Sequence, residues 1–341
     1  MSGIKARPGA MSHLMSHNMK SSALKLAIAA AAALIAVMPA HAQEYPTRSI
    51  RIVLPFSPGG GTDLLARLLS KRFYEVFGQT AAVDNRPGAG GNLGADIVAK
   101  SAPDGYTLLM STASLAVNVT LYAKLPYDAR RDLIPITQVA SAPLVVTVHP
   151  SVPARSVKEF VELAKKTKGG LNFGSNGSGT TSHLALVMFN QVAGAGLTHI
   201  PYKGAGAMLT ALLSGEVEIG FPAVISVQAH LRSGRLRALA VTTKRRSSVL
   251  PDVPTLDATY PGFDIDNWFA LFAPAGTPAA IVNRIHGEVV KGLQHAESKA
   301  FMRNEGAEPV GSSPAEFAAF FAREIEKYAK IVKLSGAKPD S

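Results

Sequence analysis

The sequence predicts an α/β protein of two lobes, each a mostly parallel sheet flanked by helices. Three observations carry that prediction. Short β-branched runs alternate with helical patterns along nearly the whole chain, the mark of α/β layers. Two extended, proline-marked passages, 143–153 and 250–266, would let the chain cross between lobes twice. Three glycine-rich junctions, one of them in the other half of the chain, each run into a helix.

The first 42 of the 341 residues read as a leader outside the fold. A polar lead is followed by LKLAIAAAAALIAVM and then Pro39-Ala40-His41-Ala42, small residues that suit a signal peptidase, so cleavage is expected after Ala42. Met19 would give that leader a more usual length. The apolar run is too short and alanine-rich for a comfortable membrane span. The chain has no cysteine, hence no lipoprotein anchor and no disulfide framework. A free periplasmic protein is expected. Removing the leader leaves 299 residues, enough for two domains. It also removes Lys5, Arg7, Lys20 and Lys25 and no acid, so the formal charge falls from +11 to +7. An exported basic protein suits acidic small ligands better than nucleic acid. The tight basic cluster at 244–246 has no aromatic ladder beside it and reads as a solvated loop.

Strands are expected at 50–54, 106–110, 144–149, 199–201, 218–221, 236–242 and 268–273. Helices are expected at 62–77, 92–101, 157–167, 181–193, 205–214, 224–233, 278–295 and 314–334. Ser156 with Glu159 and Ser313 with Glu316 have capping-box spacing, and Pro278 and Pro314 suit a first helical position. Two crossings return the last helices to the first lobe. The expected division is therefore 43–144 with 262–341, and 145–261.

The first junction is PFSPGGGTDLLARLL at 55–69, where the run IRIVL enters Gly59, Gly60 and Gly61. It is no nucleotide loop: Gly61-Thr62-Asp63 lacks the Walker lysine, and Asp63 would repel a polyphosphate. A helix N-terminus with unpaired N–H groups suits one carboxylate; a tight turn with an ordinary Thr62 or Asp63 cap accounts for the same residues equally well. The second junction, NRPGAGGNLGADIVAK at 85–100, contains Ala89, Gly90 and Gly91. The third, NFGSNGSGTTSHLALVMF at 172–189, adds the hydroxyls of Ser175, Ser178, Thr180, Thr181 and Ser182.

Catalytic constellations fail on inspection. The chain has neither a Gly-x-Ser-x-Gly elbow nor a His-Glu-x-x-His motif, and Ser-x-x-Lys falls only in the leader and the tail. Outside the leader, His149, His183, His199, His230, His286 and His295 are isolated in sequence, which favours structural roles; His183 alone opens a helix beside the serine-rich loop. No catalytic residue, metal set or cofactor is expected. Trp268 is expected in core or hinge packing.

Taken together these segments resemble the Bug family of extracytoplasmic solute-binding receptors, the binding component of tripartite tricarboxylate transporters. The resemblance runs through YPTRSIRIVLPFSPGGGTD at 45–63, NRPGAGGNLGAD at 85–96, APDGYTLL at 102–109 and NFGSNGSGTTSH at 172–183. It continues through HIPYKGAGAMLTALLSGEVEIGF at 199–221, LRALAVTT at 236–243, LPDVPTL at 250–256 and WFALFAPAGTP at 268–278. It implies a type II periplasmic-binding-protein fold, a "Venus flytrap" that closes on a small carboxylate. Carried to matching positions, it implies contacts from Phe56, Ser57, Gly59, Gly60, Gly61, Thr62 and Asp63, with the Ala89–Gly91 turn and Ser114. Ser175, Asn176, Thr180, Ser182, His183 and the Lys203–Gly204 turn would face them.

Two departures stand out. Where the family usually carries an aspartate after Phe221, this chain has Pro222 and Ala223, and Asn176 stands where a small alanine is usual. Loss of the acid removes a partner for a ligand amine, so a di- or tricarboxylate or an aromatic acid is expected. The implied partners are the membrane subunits of such a transporter, with a monomeric receptor. A sensor docking on a signalling protein, or a periplasmic enzyme using His183 or Asp63 as a base, are the alternatives.

Overall fold

The computed structural model describes residues 45–339; the expected leader and its cleavage point lie outside the described residues. Two sheets form. The first has the order β11-β4-β10-β3-β1-β2, built from β1 (Ile50–Leu54), β2 (Ala81–Asn85), β3 (Thr107–Thr112), β4 (Leu133–Ser141), β10 (Trp268–Pro274) and β11 (Glu308–Pro309). The second has the order β7-β6-β8-β5-β9, from β5 (Val145–Val148), β6 (Asn172–Ser175), β7 (Thr198–Pro201), β8 (Ile219–Gly220) and β9 (Arg237–Val241). The two orders correspond strand for strand apart from β11. In each, the strand that follows a crossing (β10 or β5) inserts antiparallel between its neighbours.

The sheets are therefore mixed, which corrects the expectation of mostly parallel sheets. Only β2-β1-β3 and β7-β6-β8 are parallel. Alternation of strand and helix predicts parallel pairing, but the strands that follow the crossings, β10 and β5, run antiparallel to both neighbours.

The helices are α1 (Gly61–Phe77), α2 (Asn92–Ala99), α3 (Ser114–Leu121), α4 (Val157–Lys166), α5 (Thr181–Ala193), α6 (Ala205–Ser214), α7 (Val224–Arg232), α8 (Ala279–Gln294), α9 (Ala296–Glu305) and α10 (Pro314–Ser335). Ser156 caps α4 and Ser313 forms a full capping box on α10, as their spacing predicts, and Pro314 opens α10. Pro278 sits one residue earlier than expected, at the cap of α8. Helix α10 presents Phe317, Phe321, Ile325, Tyr328 and Val332 as one buried stripe at helical spacing. Phe317 and Phe321 pack edge-on to Trp268, whose Nε1 donates to Glu324 Oε2 at 3.0 Å. Trp268 is thus core at the start of β10, as expected.

The chain passes between the sheets at 142–144 and again between β9 and β10, and the two passages pair. Ala142 N donates to Asn267 O (2.9 Å), Thr242 N to Leu144 O (3.0 Å) and Ile265 N to Thr242 O (3.0 Å). By its contacts the chain from Pro46 onward is one compact unit, both sheets included.

Candidate functional site

The parallel strands β1 and β3 of the first sheet, and β6 and β8 of the second, run out into loops that start helices. Ligands of open α/β sheets bind at such carboxyl ends. Here the two sets of ends face one another. From the first sheet come the Gly59–Gly61 loop and α1, the Ala89–Gly91 turn, and Thr112 with Ser114 at the start of α3. From the second come the Asn176–Thr181 loop and α5, Ala205 on α6, and Ala223 with Ser226 on α7.

The halves are shut on one another. Ser57 N donates to Lys203 O (2.8 Å) and Ser57 Oγ accepts from Ala207 N (3.3 Å). Gly61 N donates to Ser226 Oγ (2.9 Å), and Thr181 Oγ1 donates to Asn267 Oδ1 (3.0 Å). Tyr122 OH donates to Ser178 O (3.3 Å). Two glycines make the approach possible. A Cβ on Gly206 would land on Pro58 O, and one on Gly90 (φ +61°) would land on Ser178 O.

Between the halves lies a narrow inner cavity, lined by Phe56, Gly60, Gly61, Thr62, Thr112, Ser114, Asn176, Thr180, Thr181, Ala205, Ala223, Ser226, Asn267 and Phe269. None of these side chains is charged. What the wall offers instead is hydroxyls, two amides, two aromatic rings and helix N-termini. The N–H groups of Thr62 and Thr181, in the first turns of α1 and α5, make no hydrogen bond to another described residue. Such groups, with the partial positive charge of a helix start, form an anion-binding surface. A wider outer chamber adjoins it, lined among others by Ala89, Gly90, Gly91, Tyr122, Ser178, Tyr202 and Lys203; the two share Phe56 and Asn176.

Of the residues expected at the site, Phe56, Gly60, Gly61, Thr62, Ser114, Asn176, Thr180 and Ala223 line the inner cavity. Ala89, Gly90, Gly91 and Lys203 line the outer chamber. The others brace the walls from behind. Asp63 is 5% exposed, accepts from Gly59 N (3.3 Å) and is gripped by Arg67 Nε (2.9 Å), so both it and Gly59 are spent on the loop. Ser57 clasps the second half, and Gly204 caps α6 against Phe56 and Ser57. Pro222 lends its carbonyl to Val145 N (2.8 Å). Ser182 Oγ accepts from Asn176 N (2.9 Å), and Ser175 Oγ accepts from Gly177 N (3.0 Å) and shares a 2.5 Å hydrogen bond with His199 Nε2. His183 Nδ1 accepts from Gly179 N (3.3 Å), and the ring stacks on His199 at 4.4 Å. The two histidines, isolated in sequence, form a stacked pair behind the loop, His183 buried and His199 half-buried.

The sequence reading missed Thr112, Thr181, Ala205, Ser226, Asn267 and Phe269 as wall residues. Thr181 and Ala205 adjoin expected positions at helix starts, a signal that could have found them. Asn267 and Phe269 flank Trp268, the one residue of that stretch for which the sequence predicts a place, in core or hinge packing. Phe269 pairs across the sheet with Thr112, which brings both to the cavity.

Residues 65–337 match the family described as Tripartite tricarboxylate transporter family receptor. Protein BugT of Bordetella pertussis is 39% identical over 303 residues, 88% of this chain and 93% of that protein. A Rhodopseudomonas palustris protein solved with adipate shares the fold with a TM-score of 0.84 at 35% identity, over 87% of this chain and 100% of that one. MatC of Rhodopseudomonas palustris, solved with bound malate, has a TM-score of 0.80 at 31% identity, over 84% of this chain and 100% of that one. With its two matching sheets closed on a cavity of uncharged polar groups, the chain belongs to the Bug family of tripartite tricarboxylate transporter receptors.

Proposed function

We propose that this chain is a periplasmic receptor that captures a small di- or tricarboxylate, or an aromatic acid, and delivers it to the membrane subunits of a tripartite tricarboxylate transporter. The lobes in this reading are 43–144 with 262–341, and 145–261. The observation that carries it is the inner cavity, whose wall has free helix-start amides and hydroxyls and no charged side chain. A carboxylate would rest on the amides of α1 first; α5 would complete its shell as the lobes close. Exclusion of water strengthens each such interaction, and a better fit to the closed form shifts the population toward it. The family's solved relatives hold adipate and malate, both small diacids. Phe56 and Phe269 would equally pack an aromatic acid.

The reading is of binding without catalysis. The inner wall holds no carboxylate or imidazole to serve as a base, and Asp63 and His183 are committed to loop contacts.

Thermal unfolding against carboxylates, each beside its neutral amide, tests the proposal. Ligand at about a hundred times its Kd should stabilise by roughly 2.7 kcal/mol, a shift of several degrees in a chain of this size. An acid that shifts Tm while its amide does not supports the reading. Equal response to acid and amide, or turnover of the bound acid, contradicts it.

A further inference from the structure

The inner cavity and the outer chamber share Phe56 and Asn176. Phe56 is an apolar wall. Asn176 brings an amide to the boundary, and its setting is built. Its backbone N–H is tied to Ser182 Oγ at 2.9 Å, and the next N–H, that of Gly177, to Ser175 Oγ at 3.0 Å. Ser175 and Ser182 are both fully buried, so the side chain projects from an anchored loop. Its Oδ1 is buried and has no hydrogen-bond partner. A buried acceptor left without a donor is costly, so this position favours a ligand that supplies one.

The donor could be a hydroxyl or an ammonium. An ammonium would need an anion nearby. The wall has none: Pro222 and Ala223 follow Phe221, and no carboxylate lines the cavity. The helix starts of α1 and α5 add positive potential instead, which opposes a second cation-bearing group. A hydroxyl donates without carrying charge.

We propose that Asn176 is a specificity-determining residue, its amide oxygen accepting the hydroxyl of a hydroxycarboxylate. The receptor then prefers hydroxy acids over both the plain and the amino analogues of the same length. This rests on the carboxylate reading above and names the ligand class within it.

Calorimetric titration of the purified protein with succinate, malate and aspartate tests it, repeated with the six-carbon set adipate, 2-hydroxyadipate and 2-aminoadipate. Within each set the molecules differ only at the second carbon. In the set that fits, the hydroxy acid should bind about tenfold tighter than either analogue. Asn176→Ala should cut that advantage to within about threefold, read as the ratio of the plain diacid's dissociation constant to the hydroxy acid's in the same variant. Asn176→Asp restores an acid beside the ligand and should favour the amino acid about tenfold over its wild-type standing; it also reads the position should the alanine variant misfold. A hydroxy acid no tighter than the plain diacid overturns this proposal and leaves the carboxylate reading standing. So does a tenfold advantage that survives in both variants. Silence of all six acids overturns this proposal, and the melting of acids beside their amides then decides the carboxylate reading separately.

Discussion

Two recesses lie where the sheets meet, and they are opposites. The inner cavity has no charged side chain in its wall. The groove along the paired crossings is lined among others by Asp264, Asp266, Glu308 and Glu324 with Lys244, Arg245, Arg246 and Lys327. Charge is thus absent from the inner wall and balanced, four acids against four bases, in the groove. In the cavity, recognition falls to amides and hydroxyls held in place by the backbone, which need no counter-charge and leave no buried ion when empty. In the groove, charge offsets charge at a partly solvated surface. The contrast assigns selectivity to one recess and mechanical stability to the other, and four changes probe the assignment.

Gly206→Ala is expected to have the largest effect. The added methyl would meet Pro58 O across the closed lobes, a cost of about 1–3 kcal/mol or more, so ligand affinity should fall at least about tenfold. Gly206 lies within α6 at a conformation alanine adopts freely. The unliganded Tm should therefore hold or rise, since alanine favours helix over glycine by up to about 1 kcal/mol. Titration and melting of the same variant separate closure from folding.

Glu324→Ala should do the reverse. It leaves the buried indole N–H of Trp268 without its acceptor, a loss of about 1–3 kcal/mol in stability. Discrimination of an acid from its amide should be unchanged, as measured by the ratio of the two dissociation constants.

Asp266 gives a smaller, pH-dependent effect. Burial raises its carboxyl above the ordinary carboxylate range, against the donors Ser141 Oγ and Asn267 N, each at 2.8 Å. The folded form therefore holds the proton more tightly than the unfolded chain. Its contribution to stability is fullest below the unfolded value and declines as pH rises toward the folded one. Melting across pH should show Asp266→Asn flatter than the wild type above about pH 4.

Salt should matter least. Buried dipoles are poorly screened, so raising ionic strength roughly tenfold should weaken ligand binding by less than about threefold. A steep fall would hand the capture to Lys203 or the basic loop instead.

Much of this was legible in the sequence, for physical reasons that also mark the limit. Strand β1 and helix α1 were plain because an apolar run, three glycines and a helical stripe stand in order. Strand β4 was missed because Pro135 interrupts it; Pro135 sits opposite Phe272, where the pairing with β10 shifts register, a place a sheet tolerates proline. Strand β6 hid within a glycine-rich run, and α3 within a short stretch, SLAVNVTL, whose β-branched residues mask a helix. The glycines were readable as a backbone close to something. Whether that was a ligand or the opposite lobe was not, and Gly90 and Gly204 meet the lobe. The bonds Gly61–Ser226 and Thr181–Asn267 span 165 and 86 residues, and no local pattern encodes them.

The most direct test of the central claim is the amide spectrum of the ¹⁵N-labelled protein, titrated with a binding acid and then with its neutral amide. The N–H signals of Thr62 and Thr181 should move downfield together with the acid and stay in place with the amide. If those two remain still while the acid shifts Lys203 or the 244–246 loop, the anion is held by charged side chains, and the account of an amide-lined receptor is wrong.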